Sequence, residues 1–80
     1  MQPVNKEKTM YIIYGITKCR SCDKAKALLT EKGLEFEFIN LDLNPEHFHV
    51  IQELGTITVP QIFDGTGEHI GGYEDLHKTF

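Results

Sequence analysis

Met10-Tyr11-Ile12-Ile13-Tyr14-Gly15, then Cys19-Arg20-Ser21-Cys22, then the run from Asp23 to Lys32: these three pieces in succession decide the fold. The first is β-branched, aromatic and almost wholly apolar, the pattern of a central strand buried on both faces, and Gly15 ends it. The third places Ala25, Leu28 and Leu29 on one helical face and its charges on the other, with Gly33 positioned as the left-handed residue that closes a helix. Between them stand the only two cysteines of the chain. Two thiols separated by two residues at a strand-to-helix junction form the arrangement that thiol–disulfide exchange requires.

The chemistry of that junction follows from helix geometry. With Cys19 just ahead of the first turn, the unpaired backbone N–H groups of Ser21, Cys22 and Asp23 and the positive end of the macrodipole face its sulfur and favour the thiolate. Lys18 and Arg20 add positive charge on either side. Cys19 is therefore the expected nucleophile, and Cys22, one turn further on and less exposed, the thiol that resolves its mixed disulfide. A loop this short makes a poor structural staple, because the entropic benefit of a crosslink grows with loop length.

Outward from this unit, Leu34 to Ile39 alternates apolar with acidic residues and predicts a second strand, parallel to the first through the helix. Asn44 and Pro45 read as the cap and first residue of a second helix over 45–54, with Phe48, Ile51 and Leu54 as its apolar stripe and Gly55 as its stop. Strands over 58–63 and 69–70 are expected to flank the turn Asp64-Gly65-Thr66-Gly67, and a last helix to run over 74–80. The order βαβ, helix, ββα describes an α/β, thioredoxin-like fold: a four-stranded mixed sheet flanked by three helices. Residues 1–8 are polar and aperiodic and read as a flexible tail ahead of a domain over 9–80.

Composition removes several classes of function. At a net charge of −4 over 80 residues, with no basic cluster, neither nucleic acid nor an anionic membrane is an expected partner. The amino-terminal residues lack the apolar core of a secretory signal, so the reducing cytoplasm is the expected compartment. Zinc wants four ligands; there is no second CxxC, and His47, His49, His69 and His77 show no ligand spacing, so no metal is expected. His47 and His49, two residues apart on one helix, are expected to be solvated.

Three motifs at matching intervals carry a family resemblance: Cys19-Arg20-Ser21-Cys22, Thr58-Val59-Pro60-Gln61-Ile62-Phe63, and His69-Ile70-Gly71-Gly72-Tyr73-Glu74-Asp75-Leu76. From about Met10 to Phe80 the chain resembles a glutaredoxin of the small bacterial or phage kind. The resemblance implies a monomeric dithiol reductase that uses glutathione as reducing co-substrate, acts on protein disulfides and glutathione mixed disulfides, and in some members supplies electrons to ribonucleotide reductase. Matched position by position, Cys19 and Cys22 fall on the nucleophilic and resolving cysteines. Thr58, Val59 and Pro60 fall on the segment with a cis proline that pairs with the cysteine part of glutathione. Gly72, Tyr73, Glu74 and Asp75 fall on the segment that holds the γ-glutamyl end. The chain departs from the commonest pattern in two places. Arg20-Ser21 stand where proline and tyrosine are usual, and Ile16 stands where many members carry Lys or Arg, which leaves the glycine carboxylate of glutathione to Lys18 or Arg20.

Two other readings share this fold. One is an electron carrier recharged by a flavin-linked thioredoxin reductase, against which the Gly71-to-Asp75 segment speaks. The other is a carrier of a glutathione-ligated [2Fe–2S] cluster, which the absence of proline after Cys19 leaves open.

Overall fold

A computed structural model describes residues 10–55 and 58–80; the tail expected over 1–8 lies outside them. In chain order the described elements are β1 (Tyr11–Gly15), α1 (Arg20–Glu31), β2 (Phe36–Asn40), a 3-10 turn (Pro45–His47) running into α2 (Phe48–Glu53), β3 (Gln61–Phe63), β4 (His69–Gly71) and α3 (Tyr73–Lys78). The sheet order is β2-β1-β3-β4. β1 pairs in parallel with β2, Ile13 opposite Phe38, and antiparallel with β3, Ile13 opposite Ile62; β4 pairs antiparallel with β3. This is the four-stranded mixed sheet with three helices that the chain order implies, and β1 is central.

α1 packs on β1 and β2, and α3 on α1, β3 and β4. The core they share consists of Ile13, Ala25, Leu28, Leu29, Ile62 and Leu76, with Leu34, Phe36 and Phe38 packed at its edge. Strand alternation sends Tyr14 to the face opposite Ile13. There its ring meets those of His47 (centroids 6.2 Å apart) and Phe63 (5.7 Å), so the second helical segment covers the other face of the sheet. His47 is thus a half-buried packing residue rather than a solvated one, whereas His49 is exposed.

Element boundaries depart from expectation where side chains compete for backbone groups. α1 begins at Arg20, ahead of the run from Asp23 that reads as helical by its apolar stripe, because Cys19, just ahead of the first turn as expected, is its extended N-cap (φ −118°, ψ 108°) and its carbonyl accepts the Asp23 N–H at 3.0 Å. At the other end Gly33, at φ 74°, donates to Thr30 O and Leu34 N–H reaches back to Leu29 O at 2.9 Å, the paired bonds that close a helix on an apolar contact. Asn44 does not cap the second helix; its amide donates back to Asn40 O at 3.1 Å, and the first turn after Pro45 tightens into 3-10 geometry. β3 starts at Gln61 instead of 58, since Pro60 brings no N–H to a ladder.

Candidate active site

Cys19 and Cys22 are joined by a disulfide, with Cα atoms 5.2 Å apart. Cys19 is half-buried and Cys22 only 1% exposed, so a thiol arriving from solvent meets the sulfur of Cys19. The Cys22 N–H donates to Cys19 Sγ at 3.1 Å. Of the three amides expected around that sulfur, the one from Cys22 reaches it, while that of Asp23 is spent on the first helical bond. This donor and the N-terminal end of a twelve-residue helix face Cys19, an environment of the kind that favours a thiolate over a thiol. Room for the Cys22 sulfur comes from Gly15, where any Cβ would stand 2.5 Å from it.

The loop between β1 and α1 is strapped to the end of β2. Thr17 N–H donates to Asp42 Oδ2 at 2.9 Å, Asn40 Nδ2 donates to Thr17 Oγ1 at 3.1 Å, and Asp42 N–H donates to Asn40 Oδ1 at 2.9 Å. These three residues hold the backbone that leads into Lys18, which takes up φ 59° immediately before Cys19. Asn40 and Asp42 escape a reading by motif; the signal available was an Asn-x-Asp pattern leaving a strand, where such side chains bond the local backbone.

A groove of about 580 Å³ gathers most of the remaining expected residues. Thr58, Val59 and Pro60 form one wall, Gly72, Tyr73, Glu74 and Asp75 the other, and Ser21 and Lys24 of α1 reach it from the dithiol side. The Val59–Pro60 bond is cis. The first wall is held from behind by Gln61, which is 5% exposed and donates through Nε2 to Thr58 O at 2.9 Å and Thr58 Oγ1 at 3.1 Å. Gln61 Oε1 in turn accepts from His69 Nε2 at 2.7 Å. On the second wall Asp75 Oδ2 accepts the Gly72 N–H at 3.1 Å. Gly71, at φ 127°, leaves space for that carboxylate, since a Cβ there would stand 2.8 Å from Asp75 Cγ. Lys18 and Arg20 are exposed and neither lines the groove. Lys24, Ser21 and Gln61 are groove residues that motif reasoning passed over.

Among the described residues no group of three or more His, Cys, Asp or Glu side chains is placed to hold a metal ion, and no helix is long and apolar enough to cross a membrane. The family model for glutaredoxins matches residues 10–70. The chain is 38% identical to the glutaredoxin of Enterobacteria phage T4 over 89% of its own length and 99% of that protein. It is 41% identical to the hybrid peroxiredoxin hyPrx5 of Haemophilus influenzae over its whole length, spanning 33% of that longer protein. Among solved structures, the buckwheat glutaredoxin–glutathione complex superposes with a TM-score of 0.76 at 27% identity, covering 92% of this chain and 70% of that one. A redox-active pair at the head of α1 in such a frame is thiol–disulfide oxidoreductase chemistry, and the chain belongs to the glutaredoxin family.

Proposed function

We propose that this chain is a glutathione-dependent reductase of protein disulfides and glutathione mixed disulfides, with Cys19 as nucleophile and Cys22 as resolving thiol. The observation that carries it is the groove: Thr58–Val59–Pro60 and the polar segment Gly72–Asp75 line one space, together with Ser21, which stands between the two cysteines in the chain. An extended tripeptide can pair with the first through main-chain hydrogen bonds and place its charged end against the second. Asp75 has the charge to answer an α-ammonium, and Lys18 and Arg20 remain candidates for the glycine carboxylate.

The redox steps balance with two glutathiones. The Cys19 thiolate attacks a substrate disulfide and expels one substrate thiolate. The Cys22 thiolate then attacks Cys19 Sγ, releases the second substrate thiol and closes the Cys19–Cys22 disulfide. A glutathione thiolate attacks Cys19 Sγ, expelling Cys22 as thiolate, and a second glutathione attacks the sulfur of the bound one, releasing glutathione disulfide and restoring Cys19 as thiolate. Attack at Cys19 rather than Cys22 follows from the burial of Cys22.

The reading extends to a monomeric domain over 9–80 with a short tail over 1–8, working in the reducing cytoplasm on disulfide-bearing proteins, ribonucleotide reductase among them. A coupled assay with glutathione, glutathione reductase and NADPH on a small mixed disulfide, set beside the same assay with thioredoxin reductase, tests it. Turnover in the first and none in the second is expected; the converse would make the chain a carrier recharged by the flavin enzyme.

A further inference from the structure

Resting on the glutathione reading, we infer that Lys24 is a specificity residue of the groove, the cation that takes the α-carboxylate of the γ-glutamyl end. Among the described residues lining the groove, Lys24 is the only Lys or Arg. α1 and α3 pack against each other, and that packing sets Lys24 Nζ 5.8 Å from the centre of the Tyr73 ring. Tyr73 begins α3 and is followed at once by Glu74 and Asp75. The groove is therefore lined by one residue that carries an ammonium and two that carry carboxylates, on two helices packed together and next to the same tyrosine. Asp23, the carboxylate next to Lys24 in the chain, pairs with Lys26 at 3.5 Å; Lys24 lies where the groove meets a second hollow lined by Glu31 and His77.

The γ-glutamyl end carries an ammonium and a carboxylate on a single carbon. In this corner the carboxylate meets Lys24 while the ammonium meets the acidic pair, so both charges are answered at once. A ligand with only the ammonium leaves Lys24 without a counter-charge, and the difference is read as specificity. The ordinary alternative is a solvated lysine resting on an aromatic face.

Reduction of a small mixed disulfide is measured with glutathione and with γ-aminobutyryl-cysteinylglycine, which keeps the ammonium and lacks the α-carboxylate. Parent, Lys24→Gln, Lys24→Arg and Lys32→Gln are compared by the ratio of kcat/KM for the two thiols. The parent should prefer glutathione. Lys24→Gln should shrink that preference roughly 3- to 10-fold, through KM, as suits a charge-assisted contact near the surface. Lys24→Arg should restore most of it, and Lys32→Gln, which removes a charge outside the groove, should keep the parent value. An unchanged preference in Lys24→Gln, or a parent that turns over both thiols equally, overturns the role of Lys24 while leaving glutathione dependence standing. A parent that turns over neither overturns the glutathione reading itself.

Discussion

Gly15 and Cys22 share one space: a Cβ on Gly15 would stand 2.5 Å from the Cys22 sulfur and 2.7 Å from Phe38 Cε1. The last residue of the central strand is thereby matched to Cys22, the proposed resolving thiol, which sits in the helix beside it at 1% exposure. Gly15→Ala should lower stability by about 1–3 kcal/mol, the range for forcing extra volume into a packed site. In a Cys22→Ala background the penalty should shrink, because one of the two colliding atoms is gone and only Phe38 remains to yield. Denaturant midpoints of the four reduced proteins check this; an identical penalty in both backgrounds would refute the shared-space account.

Cys19 is half-buried and Cys22 buried, and the proposed division of labour between the thiols rests on that difference. Cys19→Ser should abolish all activity, whereas Cys22→Ser should keep removal of glutathione from mixed disulfides and lose dithiol-dependent protein reduction. In the reduced parent, Cys19 should be alkylated first at mildly acidic pH, as mass mapping of the labelled peptide would read. Activity in Cys19→Ser combined with its loss in Cys22→Ser would reverse the assignment.

How far the chain could be read without coordinates depended on whether an element is set by its own periodicity or by partners distant in sequence. β1 and α1 were legible because a continuous apolar run and the stripe Ala25, Leu28, Leu29 each specify a burial pattern locally, and those residues are buried in α1 as the stripe requires. The second helix was legible only in outline. Asn44 looks like a cap, yet its amide bonds Asn40 O, a choice made by the turn leaving β2. In the site, the two thiols were visible from spacing and burial logic alone. Lys24 was not, because its place beside Tyr73 exists only once α1 lies against α3. The strap from Thr17 to Asn40 spans 23 residues, and the Asn-x-Asp pattern leaving β2 signals only the local bond from the Asp42 N–H to Asn40 Oδ1, not the reach to Thr17.

The hairpin between β3 and β4 makes a prediction about acid. Asp64 Oδ1 accepts from the Thr66 hydroxyl at 2.6 Å and from the Thr66 and Glu68 amides at 2.9 and 3.0 Å. These bonds, the Thr66 hydroxyl foremost, hold the carboxyl below its ordinary value of 3.8. A folded-state value below the unfolded one contributes stability that is fully present above 3.8 and is lost as the pH falls through the depressed value. Thr66→Ala should move the Asp64 titration upward and shift the acid limb of the stability curve to higher pH. Carboxyl-carbon NMR titration of Asp64 in both proteins checks the first, and urea midpoints between about pH 5 and 2 the second. An Asp64 titration that does not respond to Thr66→Ala would show that the hydroxyl is not the cause.

Asp75 has one contact in the structure and one proposed role, which a single substitution would confuse. Its Oδ2 accepts the Gly72 N–H at 3.1 Å, holding the entry to α3, and its charge is the proposed partner of the ligand ammonium. Asp75→Ala removes both. It should lower stability by about 1 kcal/mol, the scale of a lost capping bond, and raise KM for glutathione. Asp75→Asn separates them, since an amide oxygen can still accept from Gly72 but carries no charge. That variant should keep nearly the parent's denaturant midpoint while KM for glutathione still rises. The rise should correspond to on the order of 1–3 kcal/mol for a charge-assisted bond, toward the lower end because Asp75 is exposed. Parent-like KM in Asp75→Asn together with a lower midpoint in Asp75→Ala would reduce Asp75 to a helix-start acceptor, and the ammonium would then fall to Glu74, the other carboxylate on that wall of the groove.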